Sequence, residues 1–329
     1  MFLHGKKKQI DFHLKKNEKQ LPDFIIVGAA KAGTTSLYQY LKQHPEIYFP
    51  PIKEVNFFCT DIQPENFRAE YAKSVYLDVD DFISSGMKHE VFHGFVKTID
   101  QYEKIFEPAG PKKILGELSN TYLYSETAAK KIYETLPGAK IIMVLRNPFD
   151  RAFSHYKMDY NNGLVNGDFI TELKNDMSKT ERGWGISNLY FELGLYSKQV
   201  KRYYESFPRN QLLILFYDEW KKDQQIFFKT ICSFIGADPD FRFDFSTRHN
   251  ESKSRSPIIL FLKKQKKLFG FLSRLLSKKI KSRLMKLFSS NKKLPEITPE
   301  ERKQVIELYR HDIVELSELL KTDLSHWLI

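Results

Sequence analysis

Residues 24–37, FIIVGAAKAGTTSL, carry the densest chemical signal in this chain of 329 residues. An apolar run leads into small residues, then into Thr34, Thr35 and Ser36 at the start of a helical pattern. Where a strand turns into a helix, backbone N–H groups and the positive helix end point the same way and attract an anion. Gly28 and Gly33 let the backbone approach a phosphate closely. Lys31 adds a point charge, and Thr34 and Thr35 add hydroxyl donors. Gly28 and Gly33 have the spacing of the phosphate loop G-x-x-x-x-G-K-[ST]. Thr34, however, stands where that loop has its lysine, and the lysine has moved inside the loop to position 31. Phosphate binding is predicted, by a loop unlike that of the nucleotide hydrolases.

Strands and helices must alternate to hold such a loop. Residues 23–27 read as a buried strand ending at Gly28, and residues 34–44 as a helix stopped by Pro45. A second strand is expected at 113–117 and a helix at 128–136, before Pro137-Gly138. Residues 140–145, KIIMVL, are the clearest buried strand, and Pro148 suits the first turn of a helix after it. A helix at 195–207, a strand at 211–217 and a helix at 223–235 closed by Gly236 follow. Thr298-Pro299-Glu300-Glu301 has the form of a capping box and opens a helix to about Leu320. The alternation predicts an α/β fold: a single domain with a P-loop-like parallel sheet flanked by helices on both faces.

The charge is unevenly spread. Residues 252–295 hold fourteen Lys or Arg and no Asp or Glu, so a total of +11 against +14 there leaves −3 elsewhere. Leucines and Phe288 at near-helical spacing within 257–293 suggest a basic amphipathic helical segment, suited either to packing on the domain or to an anionic lipid surface. No zinc-finger spacing, RNA-recognition signature or helix-turn-helix is present, so no nucleic-acid partner is expected. Two cysteines, Cys59 and Cys232, exclude a disulfide framework. Residues 1–20 read as a loose, Lys-rich arm before a domain at 21–329. Without a signal-like or spanning apolar run, the expected location is cytoplasmic or peripheral to a membrane.

The segment Ala30-Lys31-Ala32-Gly33-Thr34-Thr35-Ser36-Leu37 resembles the 5′-phosphosulfate loop of sulfotransferases that use 3′-phosphoadenosine 5′-phosphosulfate (PAPS). That family has a second motif, an Arg after a buried strand and a Ser eight residues later. Arg146 and Ser154 occupy those places in LRNPFDRAFSHY. The resemblance implies that Lys31, Ala32, Gly33, Thr34, Thr35 and Ser36 hold the 5′-phosphosulfate, with Lys31 also on the leaving oxygen. It implies that Arg146 and Ser154 hold the 3′-phosphate, that PAP is the product and that no metal is required. A guanidinium is a fork for phosphate oxygens, in agreement. The likeness runs over residues 22–256 and the C-terminal helix, closest to the heparan-sulfate-type carbohydrate enzymes and their bacterial relatives.

In that branch a Lys-Glu-x-x-Phe-Phe segment supplies the catalytic base, which here implies Glu54 in Lys53-Glu54-Val55-Asn56-Phe57-Phe58. Aromatic surroundings are expected to raise its pKa. Asn56 stands where relatives often have a His. Gly116-Glu117-Leu118-Ser119-Asn120 resembles a segment lining the cleft, and Lys253 and Arg255 fall where a loop closes over PAPS. His44 reads as structural. The implied reaction is in-line sulfuryl transfer from PAPS to a hydroxyl or an amine, with a glycan or glycolipid as acceptor. Two other readings are a P-loop nucleotide kinase or hydrolase, and a non-enzymatic module binding acidic glycans or membranes through 257–293.

Overall fold

The computed structural model of the chain describes residues 20–110, 113–247 and 296–329. The expected N-terminal arm, the amphipathic segment at 257–293, Lys253 and Arg255 lie outside the described residues. In chain order the strands are β1 (Phe24–Gly28), β2 (Ile47–Tyr48), β3 (Ile52–Glu54), β4 (Val91–His93), β5 (Ile114–Leu118), β6 (Lys140–Leu145) and β7 (Leu212–Phe216). The helices are α1 (Thr34–Leu41), α2 (Ala69–Val75), α3 (Val79–Ser84), α4 (Ile99–Lys104), α5 (Thr121–Tyr124), α6 (Ala128–Thr135), α7 (Pro148–Asn162), α8 (Phe169–Met177), α9 (Tyr196–Ser206), α10 (Tyr217–Lys222), α11 (Gln224–Ile235) and α12 (Pro299–Leu320).

Five strands form one parallel sheet in the order β2-β5-β1-β6-β7. Every residue of β1, and all of β6 after Lys140, is buried, as a sheet covered on both faces requires. The neighbours of β1 lead to opposite edges of the sheet, so a crevice opens at its C-terminal end. In open parallel sheets this switch point is where ligands bind. The phosphate loop leaves β1 there. A separate parallel pair, β3 with β4, sets Glu54 opposite His93.

The apolar runs at 23–27, 140–145 and 211–217 become β1, β6 and β7 with ends shifted by a residue or so. α1 stops at Leu41 rather than at His44, because Gln43 N–H turns to Tyr40 O (2.9 Å) and His44 N–H to Leu41 O (3.1 Å), tightening the chain before Pro45. His44 is structural as expected: its Nε2 lies 3.0 Å from Asp238 O and its Nδ1 accepts from Glu46 N–H at 3.2 Å. The capping box forms in full, with Glu301 N–H on Thr298 Oγ1 (3.2 Å) and Thr298 N–H on Glu301 Oε2 (2.8 Å).

α12 packs on α9 and α7, the wall beside β6. Asp312 of α12 accepts from Tyr196 N–H (2.7 Å) and Ser197 N–H (3.0 Å), so it caps α9, whose own N-cap residue offers no acceptor. Arg302 pairs with Asp150 at 3.0 Å, and Asn147 Nδ2 donates to Trp327 O at 3.2 Å. Among the described residues no helix is long and apolar enough to cross a membrane.

Candidate active site

The phosphate loop is built by backbone conformations that few residues adopt. Gly33 has φ +84° and packs so tightly that a Cβ would lie 2.7 Å from the Trp220 ring and 2.9 Å from the Tyr217 ring. A side chain there is excluded twice, by strain and by space. Lys31 also has a positive φ, 71°. α1 begins at Thr34 with no side chain capping its first turn. Lys31 Nζ lies 3.1 Å from Met158 Sδ on α7. Burial pushes the Lys31 ammonium down to about 8; Asp159 opposes that shift, while Arg151, Arg146 and Lys53 add to it.

Arg146 follows β6, the strand hydrogen-bonded beside β1. Its Nη1 donates to the carbonyl of Lys31 at 3.0 Å, and its guanidinium lies 4.9 Å from the centre of the Tyr217 ring. Its Nε is buried and has no partner in the protein. Ser154 is half-buried on α7, one turn before Met158 and so on the face that touches Lys31. The two motifs singled out in the sequence therefore meet at Lys31.

Lys31 supplies a pH prediction. PAP binding that needs the charged ammonium is constant below about pH 7 and weakens as pH rises through 8, by close to tenfold per unit above it. Calorimetry at pH 8.5 in two buffers of different ionisation heat should show proton uptake on binding, and Lys31→Arg should flatten the profile.

Glu54 ends β3, buried among polar groups. Its Oε1 accepts from Asn120 Nδ2 at 2.8 Å and from Lys53 Nζ at 3.2 Å, and its Oε2 faces His93 Nδ1 at 3.4 Å. Burial alone would raise this carboxyl, but the Lys53 ammonium and the hydrogen bond from His93 outweigh it and hold it at about 2. The expected upward shift is thus corrected. The neighbours that decide it are cationic and polar, not the aromatic rings of Phe57 and Phe58. Lys53 Nζ also reaches Thr35 Oγ1 at 3.2 Å, so one buried ammonium touches both the phosphate loop and the carboxylate.

The segment 116–120 does not line the cleft as a whole. Glu117 and Ser119 are fully buried behind it. Ser119 Oγ donates to Glu117 Oε1 (2.9 Å) and accepts from Val55 N–H (3.0 Å) and Asn56 N–H (3.1 Å), which fixes the chain just after Glu54. Asn56 spends its amide on Glu54 O (3.0 Å) and Gly94 O (2.9 Å), so it holds the turn in place of any chemical role. Burial raises the Glu117 carboxyl to about 7, against hydrogen bonds from Tyr102, Tyr122 and Ser119. The folded protein keeps this proton between pH 4.5 and 7 while the unfolded chain releases it. The associated stability is full below 4.5 and is lost up to pH 7, at about 1.4 kcal/mol per unit. In urea unfolding at pH 5 and pH 7, wild type should lose more stability than Glu117→Gln.

A sequence profile of the sulfotransferase domain matches residues 21–316. The chain belongs to this family. It is 27% identical over 311 residues to the bifunctional heparan sulfate N-deacetylase/N-sulfotransferase 2 of Bos taurus, covering 92% of this chain and 30% of that protein. It is 29% identical over 136 residues to the membrane-associated sulfotransferase kil1 of Dictyostelium discoideum, 41% of this chain and 22% of that one. The chain thus spans three-tenths or less of these relatives. Among solved structures, the sulfotransferase from Alicyclobacillus acidocaldarius matches with a TM-score of 0.66 and 27% identity, over 94% of this chain and 99% of that chain.

Within this family fold, the described site residues expected from the sequence gather at one crevice: Lys31 to Ser36 on the loop, Arg146 and Ser154 on its flank, and Glu54 joined to the loop through Lys53. Three further residues face the carboxylate: Lys53, Asn120 and His93. Lys53 was legible as a neighbour in sequence. Asn120 stands just before α5, in the segment 116–120 that resembles a cleft lining, whereas His93 comes from β4 and no local pattern marks it.

Proposed function

We propose that this chain transfers the sulfuryl group of PAPS to a hydroxyl or an amine of a carbohydrate acceptor. The observation that carries the reading is the 3.0 Å contact between Arg146 and the Lys31 carbonyl. It brings two motifs 115 residues apart in sequence into contact, which supports one ligand reaching both. The residues fit such a ligand: Arg146 Nε is buried without a partner, and the first turn of α1 has no capping side chain.

PAPS supplies, when bound, an activated sulfuryl group on a phosphate leaving group. Lys31 and the first turn of α1 hold that end, and Lys31 offsets the charge that grows on the leaving oxygen. Arg146 and Ser154 hold the 3′-phosphate. Lys53, between Thr35 and Glu54, keeps the carboxylate ionised beside the loop. The acceptor proton moves toward Glu54 and the groups bonded to it. A carbohydrate acceptor is supported by the heparan sulfate relative, to which most of this chain aligns.

Calorimetric titration with PAP, and separately with ATP and Mg²⁺, tests the donor site; PAP should bind and ATP should not compete at equal concentration. Labelled PAPS offered with glycans, glycolipids and phenols then tests the acceptor. Transfer to phenols alone would overturn the carbohydrate assignment, and ATP binding in place of PAP would overturn the whole reading.

A further inference from the structure

The proposed reaction must remove a proton from the acceptor, and Glu54 is poorly placed to take it. Its side chain is 7% exposed, against 34% for His93. Both carboxylate oxygens are engaged, Oε1 by Asn120 and Lys53 and Oε2 by His93. A carboxylate held at about 2 has little appetite for a proton at neutral pH. His93 is differently situated. The parallel pairing of β3 with β4 sets it directly opposite Glu54, and Gly94 N–H to Glu54 O (2.9 Å) locks that register. Its Nδ1 faces Glu54 Oε2 at 3.4 Å. A carboxylate at Nδ1 selects the tautomer with the proton there and leaves Nε2 as a bare acceptor. Imidazole is also the side chain whose ordinary titration spans pH 5 to 8.

Resting on the sulfuryl-transfer reading, we propose that His93 is the general base and Glu54 its positioning carboxylate. His93 Nε2 takes the acceptor proton as the acceptor oxygen or nitrogen bonds to sulfur. The bond from sulfur to the donor's phosphate oxygen breaks, and its electron pair stays on that oxygen beside Lys31. Glu54 balances the imidazolium, which then gives its proton to solvent from its exposed side. The division of labour is that of a carboxylate–imidazole pair in acyl transfer.

The test uses the full chain with labelled PAPS. Transfer to an N-deacetylated, desulfated heparan oligosaccharide is measured beside the slow release of inorganic sulfate to water, which needs no acceptor. His93→Ala should lose 10²- to 10⁴-fold in kcat with PAP affinity unchanged. Added imidazole should restore part of the loss, more for the more basic imidazoles. Adding Glu54→Gln to His93→Ala should cost little more than the worse single change. His93→Gln should be as slow as His93→Ala and bind PAP normally. A second readout needs no turnover. In the protein without PAP, the imidazole nitrogen resonances of His93 should move between wild type and Glu54→Gln, as the N–H at Nδ1 loses its carboxylate partner. His93→Ala within threefold of wild type, a loss that imidazole does not restore, a PAP affinity down tenfold in His93→Gln, or an unmoved resonance would each overturn the assignment. In the first of these the active wild type leaves the sulfuryl-transfer reading intact. A wild type that binds no PAP and turns over no PAPS overturns both.

Discussion

Arg146→Ala should bind PAP about 100-fold more weakly than wild type at the same salt concentration. A guanidinium meeting a phosphate makes charge-assisted hydrogen bonds worth about 1.5–3 kcal/mol each, and 1.4 kcal/mol is a factor of ten. The deletion also frees the Lys31 carbonyl, which now receives Nη1 at 3.0 Å, so the loop carrying Lys31 loses a brace as well as a ligand. Arg146→Lys should recover little, because an ammonium cannot serve the carbonyl, the Tyr217 face and a phosphate together. Calorimetry with PAP reads the effect directly, and equal affinity in wild type and Arg146→Ala would remove Arg146 from the donor site.

Glu54→Gln should separate binding from turnover. PAP affinity is expected to stay within twofold, since Glu54 meets the loop only through Lys53 and the amide oxygen can still accept from that ammonium. kcat should fall by about 10²- to 10⁴-fold, the usual effect of losing proton removal. The charge of Glu54 is what changes: an amide can neither balance a cation at His93 nor take a proton. Wild-type turnover in Glu54→Gln would take this carboxylate out of the mechanism.

The legibility of this molecule in its sequence follows from how local each signal is. β1, β6 and β7 are continuous apolar runs, and the helix starts at Pro148 and Thr298 carry their own capping chemistry. The turn from β1 into α1 was readable for the same reason, because strand, loop and helix are adjacent in sequence. β3 and β4 were not: three-residue strands that pair across 39 positions have no period to detect, and they alone bring His93 to Glu54. α8 has no counterpart among the helices read from the sequence, although Asp168 accepts from Thr171 N–H at 2.9 Å and caps it. The direction in which the Glu54 carboxyl is pushed was misjudged because its two decisive neighbours, Lys53 and His93, arrive on different strands. Chain adjacency shows only Lys53 of the two.

The stitching of α12 has an architectural outcome. Asp312 on α9, Arg302 on Asp150 and Trp327 on Asn147 tie α12 and the residues after it to the helices that follow β6. The end of the sequence thereby serves as a girder for α7, the helix that carries Ser154. A truncation before Arg302 would slacken that helix while leaving the five-stranded sheet its own backbone pairing.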